Sequence, residues 1–523
     1  MRFFEKTLKV LLVSPASPAS YWGFQESTWF VGARAAHIPL PLITLAALLP
    51  REWQLRLVDM NIERLRDKDI AWADAVMVTG MIVHKDAMKE IFARCAALGV
   101  PSIAGGPFVS SSPEAAELAG ADALVLGEAE DTEVIDRLVA DLRAGTLQRR
   151  YAAASMPEMD SSPVPRYDLL RQRAYCAMAI QVSRGCPHRC EFCNVRMLFG
   201  RRPRYKTPEQ ISAELQAIYE TGFRGNVFFV DDNFIGDIRA AVKVLRAISA
   251  WQQSRDRPFL FYTEADVRLA DNDALIQQMV EAGFFAVFTG FESPSKEALT
   301  ETAKTQNLKI DPVDAVRRLR DKGLLVYGGF IVGFDADGPD IFGQTDEFIE
   351  DCRIDFAMAG MLIAIPGTPL EKRLKTEGRL LFETDGDAFG ATNIAPKRMS
   401  RMELLRGYRW LLKRLYDPKR FFGRAYAALI EWRHGPKRRT TTREYLAVIK
   451  SVIRQGIFSR YSLHYWRFML RTLFRSPSKL GRAFATAISG HHFFRYTRRV
   501  VIPRLIEAEK RLLAERNGQP TNG

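Results

Sequence analysis

The sequence predicts a mixed α/β protein in three parts: a doubly wound parallel sheet, a partial (β/α)6 barrel of the TIM type, and a helical carboxy-terminal region. Three observations lead there. Short apolar strands alternate with helix-period segments over the first 150 residues, a second such series of six strand–helix units runs from about residue 179, and strand patterns vanish beyond about residue 400. A chain of 523 residues has room for about three domains. Its 47% hydrophobic and 26% charged residues supply more than one core and exclude disorder or collagen-like repeats. Six cysteines are too few for a disulfide scaffold; three of them fall within eight residues, the pattern of a metal site in a reduced, cytoplasmic compartment.

Taken in order, the amino terminus has the basic start and small residues of a leader. Its uninterrupted apolar run covers only residues 10–13, shorter than the roughly 7–15 a leader needs, so 8–13 reads as a first strand. Residues 35–49 are interrupted by Pro39 and Pro41 and fall short of the about 18 apolar residues of a membrane span; no bilayer-crossing segment is expected. Further strands are expected at 55–59, 75–79, 102–105 and 123–127, with helices at 42–49, 85–98 and 113–119. In such a sheet, ligands sit beyond the carboxyl ends of the strands. Here those ends run into SPASPAS, GGPFVSSSP and GEAE, loops small enough to let a large ligand lie against the backbone. The expected boundaries are 1–150 for this domain, a Ser-, Pro- and Met-rich linker at 151–170, a barrel at 171–400 and a basic helical domain at 401–523.

The barrel strands are expected at 180–183, 227–231, 259–263, 286–291, 324–332 and 357–365. Their helices follow at 207–219, 239–251, 274–282, 312–321, 341–352 and 369–376. Chemistry on such a barrel belongs at the carboxyl ends of the strands, and the polar residues cluster there. Beyond residue 400, helical segments such as 445–457 and 461–474 interleave arginines with aromatics, and a short polar tail closes the chain at 517–523.

Immediately after the first barrel strand, Cys186, Cys190 and Cys193 form C-x3-C-x2-C. Three thiolates on one tight loop can hold three irons of a [4Fe-4S] cluster and leave the fourth iron open to an exogenous ligand. Zinc is the competing metal, but structural zinc takes four ligands and no Cys or His pair follows at finger spacing. His188, inside the loop, is expected to point to solvent. The loop CPHRCEFC, with Phe192 before its last cysteine, resembles the hallmark of the radical S-adenosylmethionine (SAM) superfamily, and the resemblance spans residues 170–395. It implies that SAM binds the open iron through its amino and carboxylate groups. One electron, from a reducing partner such as flavodoxin or ferredoxin, then yields methionine and a 5′-deoxyadenosyl radical that abstracts hydrogen from substrate. By position, the resemblance makes Asp231 and Asp232 candidates for the SAM amine, and Glu264 and Glu292 candidates for ribose and amino-acid contacts. Gly329 and Gly333 of GGFIVGF fall where adenine would lie on backbone, and Pro366 and Gly367 end the sixth strand similarly. The alternative for each acid is a solvated loop residue or a helix cap.

The first 150 residues resemble the cobalamin-binding domain that precedes the radical SAM barrel in one large subclass, through KVLLVSP, PLPLITLAALLP, VDMN, WADAVMVTGM, AGGP and VLGEAE. The resemblance places Gly105, Gly106, Gly127 and Glu128 at the corrinoid. No G-x-G-x-x-G follows a strand, which argues against a dinucleotide. The D-x-H-x-x-G motif of histidine-ligating cobalamin enzymes is also absent, so the cofactor is expected with its own base detached and no histidine beneath cobalt. Met81 and His84 are candidates for the lower face; the competing readings are a core methionine and a surface histidine.

The net charge of +14 is a property of the tail: residues 401–523 hold 28 Lys/Arg against 7 Asp/Glu, and the preceding 400 residues carry −7. Three uses compete: helical packing with solvated basic side chains, peripheral contact with the anionic inner membrane surface, and RNA binding. RNA ranks last, because the extra cysteine triplet and β-barrel module of tRNA-methylthiolating relatives are missing. The order of parts, with DPKRFFGRAYAAL after the barrel, resembles cobalamin-dependent radical SAM proteins related to hopanoid methylases. The expected activity is therefore methylation of an unactivated carbon in a small-molecule or lipid substrate. Cyclisation or rearrangement without methyl transfer, and a non-catalytic corrinoid sensor, are the alternatives.

Overall fold

A computed structural model describes residues 7–433 and 435–517; the polar tail beyond Asn517 lies outside the described residues. The first sheet contains β1 (Lys9–Ser14), β2 (Gln54–Asp59), β3 (Ala75–Thr79), β4 (Ser102–Gly105), β5 (Ala123–Leu126) and β6 (Arg150–Ala152), all parallel in the order β2-β1-β3-β4-β5-β6. The strand order reverses between β1 and β3, which makes the crevice beyond their carboxyl ends the ligand position of a doubly wound sheet. Val10 to Val13 are all buried, the uninterrupted apolar run that a strand covered on both faces requires. Alternate residues feed two cores, Leu11, Val13, Val76 and Val78 on one face and Leu12, Met77 and Ile103 on the other. The sixth strand was not foreseen. Arg150–Ala152 is too short for a periodicity to show, and it carries the sheet into the stretch read as linker.

The second sheet is the expected half-barrel. It contains β7 (Ala177–Ile180), β10 (Gly225–Phe229), β11 (Phe259–Glu264), β12 (Phe284–Glu292), β13 (Leu325–Val332) and β14 (Ala357–Met361), all parallel in that order across the sheet. Its helices start where the sequence supplies caps: Thr207, Asp237, Asn272, Asp311 and Thr368 each accept a backbone N–H from the first turn. The first barrel strand ends earlier than 183. Ser183 is drawn off to bond Asp231 and enters a short antiparallel pair, β8 (Ser183–Arg184) with β9 (Arg204–Tyr205), which pins the base of the cysteine loop.

An open half-barrel leaves two strand edges, and both are covered. Along β7, Cys176 N–H and Ala177 N–H donate to the carbonyls of Ala35 and Ala36 at 3.0 and 3.1 Å, so a strap from the first domain continues the sheet. Along β14, Tyr408 and Tyr416 donate their hydroxyls to the carbonyls of Ala359 and Ala357 at 2.8 and 2.7 Å. Those tyrosines belong to the carboxy-terminal helices, which begin with Arg401–Leu415 and Pro418–Glu431. Leu404, Leu411, Phe421 and Phe493 share one core with the barrel. On the strap, Tyr21 packs edge-on against Tyr496 and Phe389, and its hydroxyl meets Thr497 Oγ1 at 2.6 Å. Much of the tail's basicity is structural: Arg414 and Arg420 pair with Asp346, and Arg424 with Glu350. Among the described residues no helix is long and apolar enough to cross a membrane.

Candidate active site

The cysteine loop springs from Gly185, whose φ of +96° and closeness to the carbonyls of Phe199 and Arg202 leave no space for a side chain. Cys186 N–H donates to Gly200 O at 3.2 Å, Cys193 N–H to Cys190 O at 3.1 Å and Glu191 N–H to Thr302 O at 3.0 Å, which fixes the loop from three sides. Burial pushes all three thiols up, Cys193 to about 12, and the closeness of Cys190 adds to the rise at both Cys186 and Cys193. Sulfurs gathered in a poorly solvated pocket are stabilised as thiolates only by a cationic centre. Gln306 Nε2 donates to Cys190 Sγ at 3.8 Å. Among the described residues no three His, Cys, Asp or Glu side chains converge on a single ion. A cubane makes a different demand, one thiolate to each of three irons, and a loop that presents three separated sulfurs fits it.

His188, expected from its place in the loop to point to solvent, instead turns inward. Its Nε2 lies 2.9 Å from Asp266 Oδ2, and Asn233 donates to the same oxygen at 2.9 Å. Burial opposes ionisation of Asp266, but bonds from His188 and Arg268 outweigh it and hold the carboxyl well below the usual range. The loop is thereby tied to the end of β11. Phe192 packs toward Phe334 beyond β13, with ring centres 5.9 Å apart.

The four candidate acids gather at the carboxyl ends of neighbouring strands, with different environments. Asp231 is buried and already engaged, accepting from Ser183 N–H, from Ser183 Oγ at 2.6 Å and from Val182 N–H at 3.4 Å; it anchors the start of the cysteine loop. Asp232 lies beside Cys186 and Cys193, and its Oδ2 is buried with no hydrogen-bond partner. Burial pushes Asp232 up to about 6. Glu264 is pushed to about 8, first by burial and then by Asp232, Asp231 and Glu292 around it. This concentration of unrelieved acid has the chemistry of a receptor for a cation that brings hydrogen-bond donors. Glu292 occupies left-handed backbone at φ +66° and pairs with Lys304 Nζ at 2.8 Å. Lys304, Gln306 and Asn307 were absent from the sequence reading. They follow β12 in a stretch, ETAKTQN, that carries no spacing signal; the fold brings Lys304 and Gln306 beside the cysteines, while Asn307 donates to the carbonyls of Gly290 and Phe291 at 2.9 Å each. The two candidate glycines of GGFIVGF, Gly329 and Gly333, have packing reasons: a Cβ on Gly329 would strike the Phe288 ring and one on Gly333 would press on Leu404.

Side chains that alternate with the buried ones along the strands face the inside of the half-barrel. Phe228 stacks on Tyr262 at 4.7 Å, Trp22 of the strap packs on Phe288 at 4.8 Å, and His37 sits 5.5 Å from Phe228. Burial lowers His37 to about 4, so this wall is aromatic and uncharged at neutral pH.

On the first sheet, the switch-point crevice is bordered by the ends of β1, β3 and β4. Gly106 has φ +94° and approaches Thr79 too closely for a Cβ; Gly105 precedes it at the end of β4. Gly127, at φ +90°, donates its N–H to Ser110 Oγ at 2.9 Å. Met81 and His84 reverse the competing expectations. The methionine is 53% exposed, not core, and the histidine is buried, not on the surface. Met81 N–H donates to His84 Nδ1 at 3.0 Å and His84 Nε2 bonds Ser17 Oγ at 2.9 Å, so both ring nitrogens are occupied within the protein. Burial lowers its pKa, in keeping with a neutral ring protonated on Nε2. Glu128 is buried in an ion-pair network: with Glu130 it grips Arg184 at 2.6 Å each, and it holds Arg204 at 2.5 Å. Arg184 and Arg204 are the β8–β9 pair beneath the cysteine loop, so the GEAE loop of the first domain is bolted to the base of that loop.

The carboxyl ends of the two sheets consequently face each other. Gly386 beyond β14 lies so close to Ile82 and Val83 that a Cβ would come within 2.7 Å of each, and a Cβ on Gly367 would strike Met197 and lie 3.8 Å from Ser111 O. One cofactor held beyond β1, β3 and β4 and another beyond β7 and β10–β12 would face each other across the joint between the two sheets.

The comparisons with known proteins agree with this geometry. Residues 31–135 match the B12 binding domain profile, 180–349 the radical SAM superfamily and 368–503 a domain of unknown function, DUF4070. An uncharacterized methyltransferase of Synechocystis sp. is 36% identical over 498 residues, 94% of this chain and 92% of that one. Hopanoid C-2 methylase of Rhodopseudomonas palustris is 34% identical over 501 residues, 94% of each chain. Among solved structures, the methyltransferase TsrM of Kitasatospora setae, with cobalamin and a [4Fe-4S] cluster bound, superposes with a TM-score of 0.58 at 16% identity over 92% of this chain and all of that one. OxsB with aqua-cobalamin bound also gives 0.58 at 16% identity, over 99% of this chain and 82% of that one, so the three-part fold is shared. The chain belongs to the cobalamin-dependent radical SAM methyltransferases, whose cofactors are a [4Fe-4S] cluster, SAM and cobalamin.

Proposed function

We propose that this methyltransferase acts on an unactivated carbon of a polycyclic, hopanoid-like lipid met at the membrane surface. The observation that carries the reading is the uncharged aromatic wall of Trp22, His37, Phe228, Tyr262 and Phe288 on the inside of the half-barrel. Such a surface rewards a rigid hydrocarbon by apolar contact and offers little to a charged metabolite. The relation to a hopanoid C-2 methylase supports the same class.

When bound, the cluster, SAM and cobalamin supply the radical and methyl chemistry. The chain's own residues bind, orient and exclude water. Cys186, Cys190 and Cys193 hold the cluster, with Gln306 donating to one sulfur. Asp232 receives the SAM amine on its free oxygen, and Glu264 takes the ribose hydroxyls. Asp231 and the His188–Asp266 bond fix the loop that carries the cysteines. Glu292 stays paired with Lys304 and shapes that side of the pocket. Gly105, Gly106 and Gly127 would border the corrinoid, with the exposed Met81 beside them. An electron-donor protein of the flavodoxin or ferredoxin type completes the cycle.

The test is anaerobically reconstituted enzyme with reductant, methyl-labelled SAM and lipid extract from a strain lacking this chain. A lipid gaining one labelled methyl group is expected. A product without label would favour rearrangement, and no lipid change in strains with and without the chain would defeat the lipid assignment.

A further inference from the structure

The carboxy-terminal helices contain a feature the fold does not use. Helix Thr442–Ser451 continues through a π-helical segment, Val452–Ile457, and turns back into helix Ser462–Arg475. The two arms are locked together: Gly456 admits the Trp466 indole, whose Nε1 donates to Gly456 O at 3.0 Å, and Ser451 Oγ meets Tyr465 OH at 3.1 Å. One face is ordinary core, with Ala447, Tyr465, Phe468 and Met469 buried.

The opposite face is also apolar, and it lies in the open. On the first arm Tyr445, Ile449, Ile453 and Ile457 recur every four residues, with Leu446 and Phe458 beside them. On the second arm Leu463, Trp466, Leu470 and Leu473, three or four residues apart, and Phe474 form the same kind of stripe. Of the 25 large hydrophobic residues exposed among the described residues, these 11 fall within 30 positions, so this is a continuous surface and not scattered exposure. Phe474, Leu463 and Phe458 are 83%, 77% and 71% exposed. Arg460, Arg467, Arg471 and Arg475 are exposed among them, and no Asp or Glu occurs from residue 445 to 506. At the margin, Trp29 of the strap is exposed beneath Lys450, whose Nζ donates to Trp29 O at 3.0 Å.

We infer that this helical hairpin is a monolayer-inserting surface for an anionic lipid bilayer. The apolar stripe would enter the acyl boundary, the four arginines would meet lipid phosphates, and Tyr445, Trp466 and Trp29 would sit at headgroup level. Charge selects this occupant. A face with four arginines, no acid and eleven large apolar side chains complements an anionic interface, whereas a second copy of the chain would set arginine against arginine. The inference deepens the lipid-substrate reading by naming the surface that reaches the lipid; the remaining basic residues discussed above belong to the fold.

The test is flotation of full-length holoenzyme with vesicles of phosphatidylcholine containing about 30 mol% phosphatidylglycerol, against phosphatidylcholine alone. Wild type should bind the anionic vesicles roughly tenfold more tightly, and Phe458→Asp with Phe474→Asp should release it from both. Arg467→Glu with Arg471→Glu should abolish only the anionic preference. Wild-type amide exchange, which requires no variant to fold, should slow across 442–475 when anionic vesicles are added. Unchanged flotation of the Phe458/Phe474 variant, unchanged exchange across 442–475, or a wild-type dimer that these substitutions dissociate would each overturn the inference. Methylation of detergent-dispersed lipid, assayed in parallel, separates the two readings: its absence with normal flotation removes the lipid substrate and leaves the surface standing.

Discussion

Replacing Glu128 by Gln tests the joint between the two cofactor domains. Among the described residues Glu128 is the sole carboxylate paired with Arg204, at 2.5 Å, and it shares Arg184 with Glu130. The side chains of Glu128 and Arg204 are 4% and 3% exposed, so solvent cannot replace the lost charge. Arg204 would keep bonds to the carbonyls of Phe199 and Pro157 but no counter-charge. Removing one member of such a pair costs about 3–5 kcal/mol, because the remaining charge stays buried and uncompensated. Asp314→Asn removes an ion pair that is more than half exposed on both sides and should cost at most about 1 kcal/mol. Urea unfolding of the two variants under anaerobic conditions measures the difference. Because Arg184 and Arg204 sit beneath the cysteine loop, Glu128→Gln should also raise the ratio of deoxyadenosine released to methyl transferred. A loss below about 1 kcal/mol with an unchanged ratio would refute the idea that these charges set the spacing between the cofactors.

Cys190→Ala should abolish deoxyadenosine formation, read by chromatography after reduction with SAM. Asp232→Asn should weaken SAM binding roughly 10- to 100-fold, the loss of one charge-assisted hydrogen bond, with the cluster's absorbance unchanged. Glu264 titrates higher in the folded protein, at about 8, than in the unfolded chain. Its protonated form therefore favours folding below the ordinary carboxyl value, and that stability drains away as pH rises to about 8, at about 1.4 kcal/mol per pH unit. The melting temperature of the SAM-free protein should fall between pH 6 and pH 8, and Glu264→Gln should lessen the fall without abolishing it, because burial also pushes Asp231 up to about 7. His84→Gln should leave the cob(II)alamin electron paramagnetic resonance spectrum unaltered, without nitrogen splitting from the protein, because both ring nitrogens are already taken; a changed spectrum would place the ring at cobalt.

Most elements were legible because each rests on local pattern. The run Val10 to Val13 could only be a strand buried on both faces, and Thr207 with Gln210 is a capping box that fixes a helix start within a residue. The cysteine loop was equally plain from spacing. What escaped depends on contacts distant in sequence. The ion pair that buries Glu128 rests on Arg204, 76 residues away, and no local pattern signals it. His188 was expected outside because nothing local reveals Asp266, 78 residues on. The strap shows no pattern of its own: Tyr21 finds Thr497 across 476 residues, and no periodicity encodes that distance.

The two covered rims of the half-barrel carry a lesson for anyone shortening this protein. These six strands do not close on themselves, and a bare rim invites another chain to pair with it. Here the corrinoid side lends backbone to one rim and the distal helices lend two phenolic hydroxyls to the other. Cutting the chain at either junction would thus strip a ladder of its partners, and fragments made that way should associate with one another before they report on any cofactor.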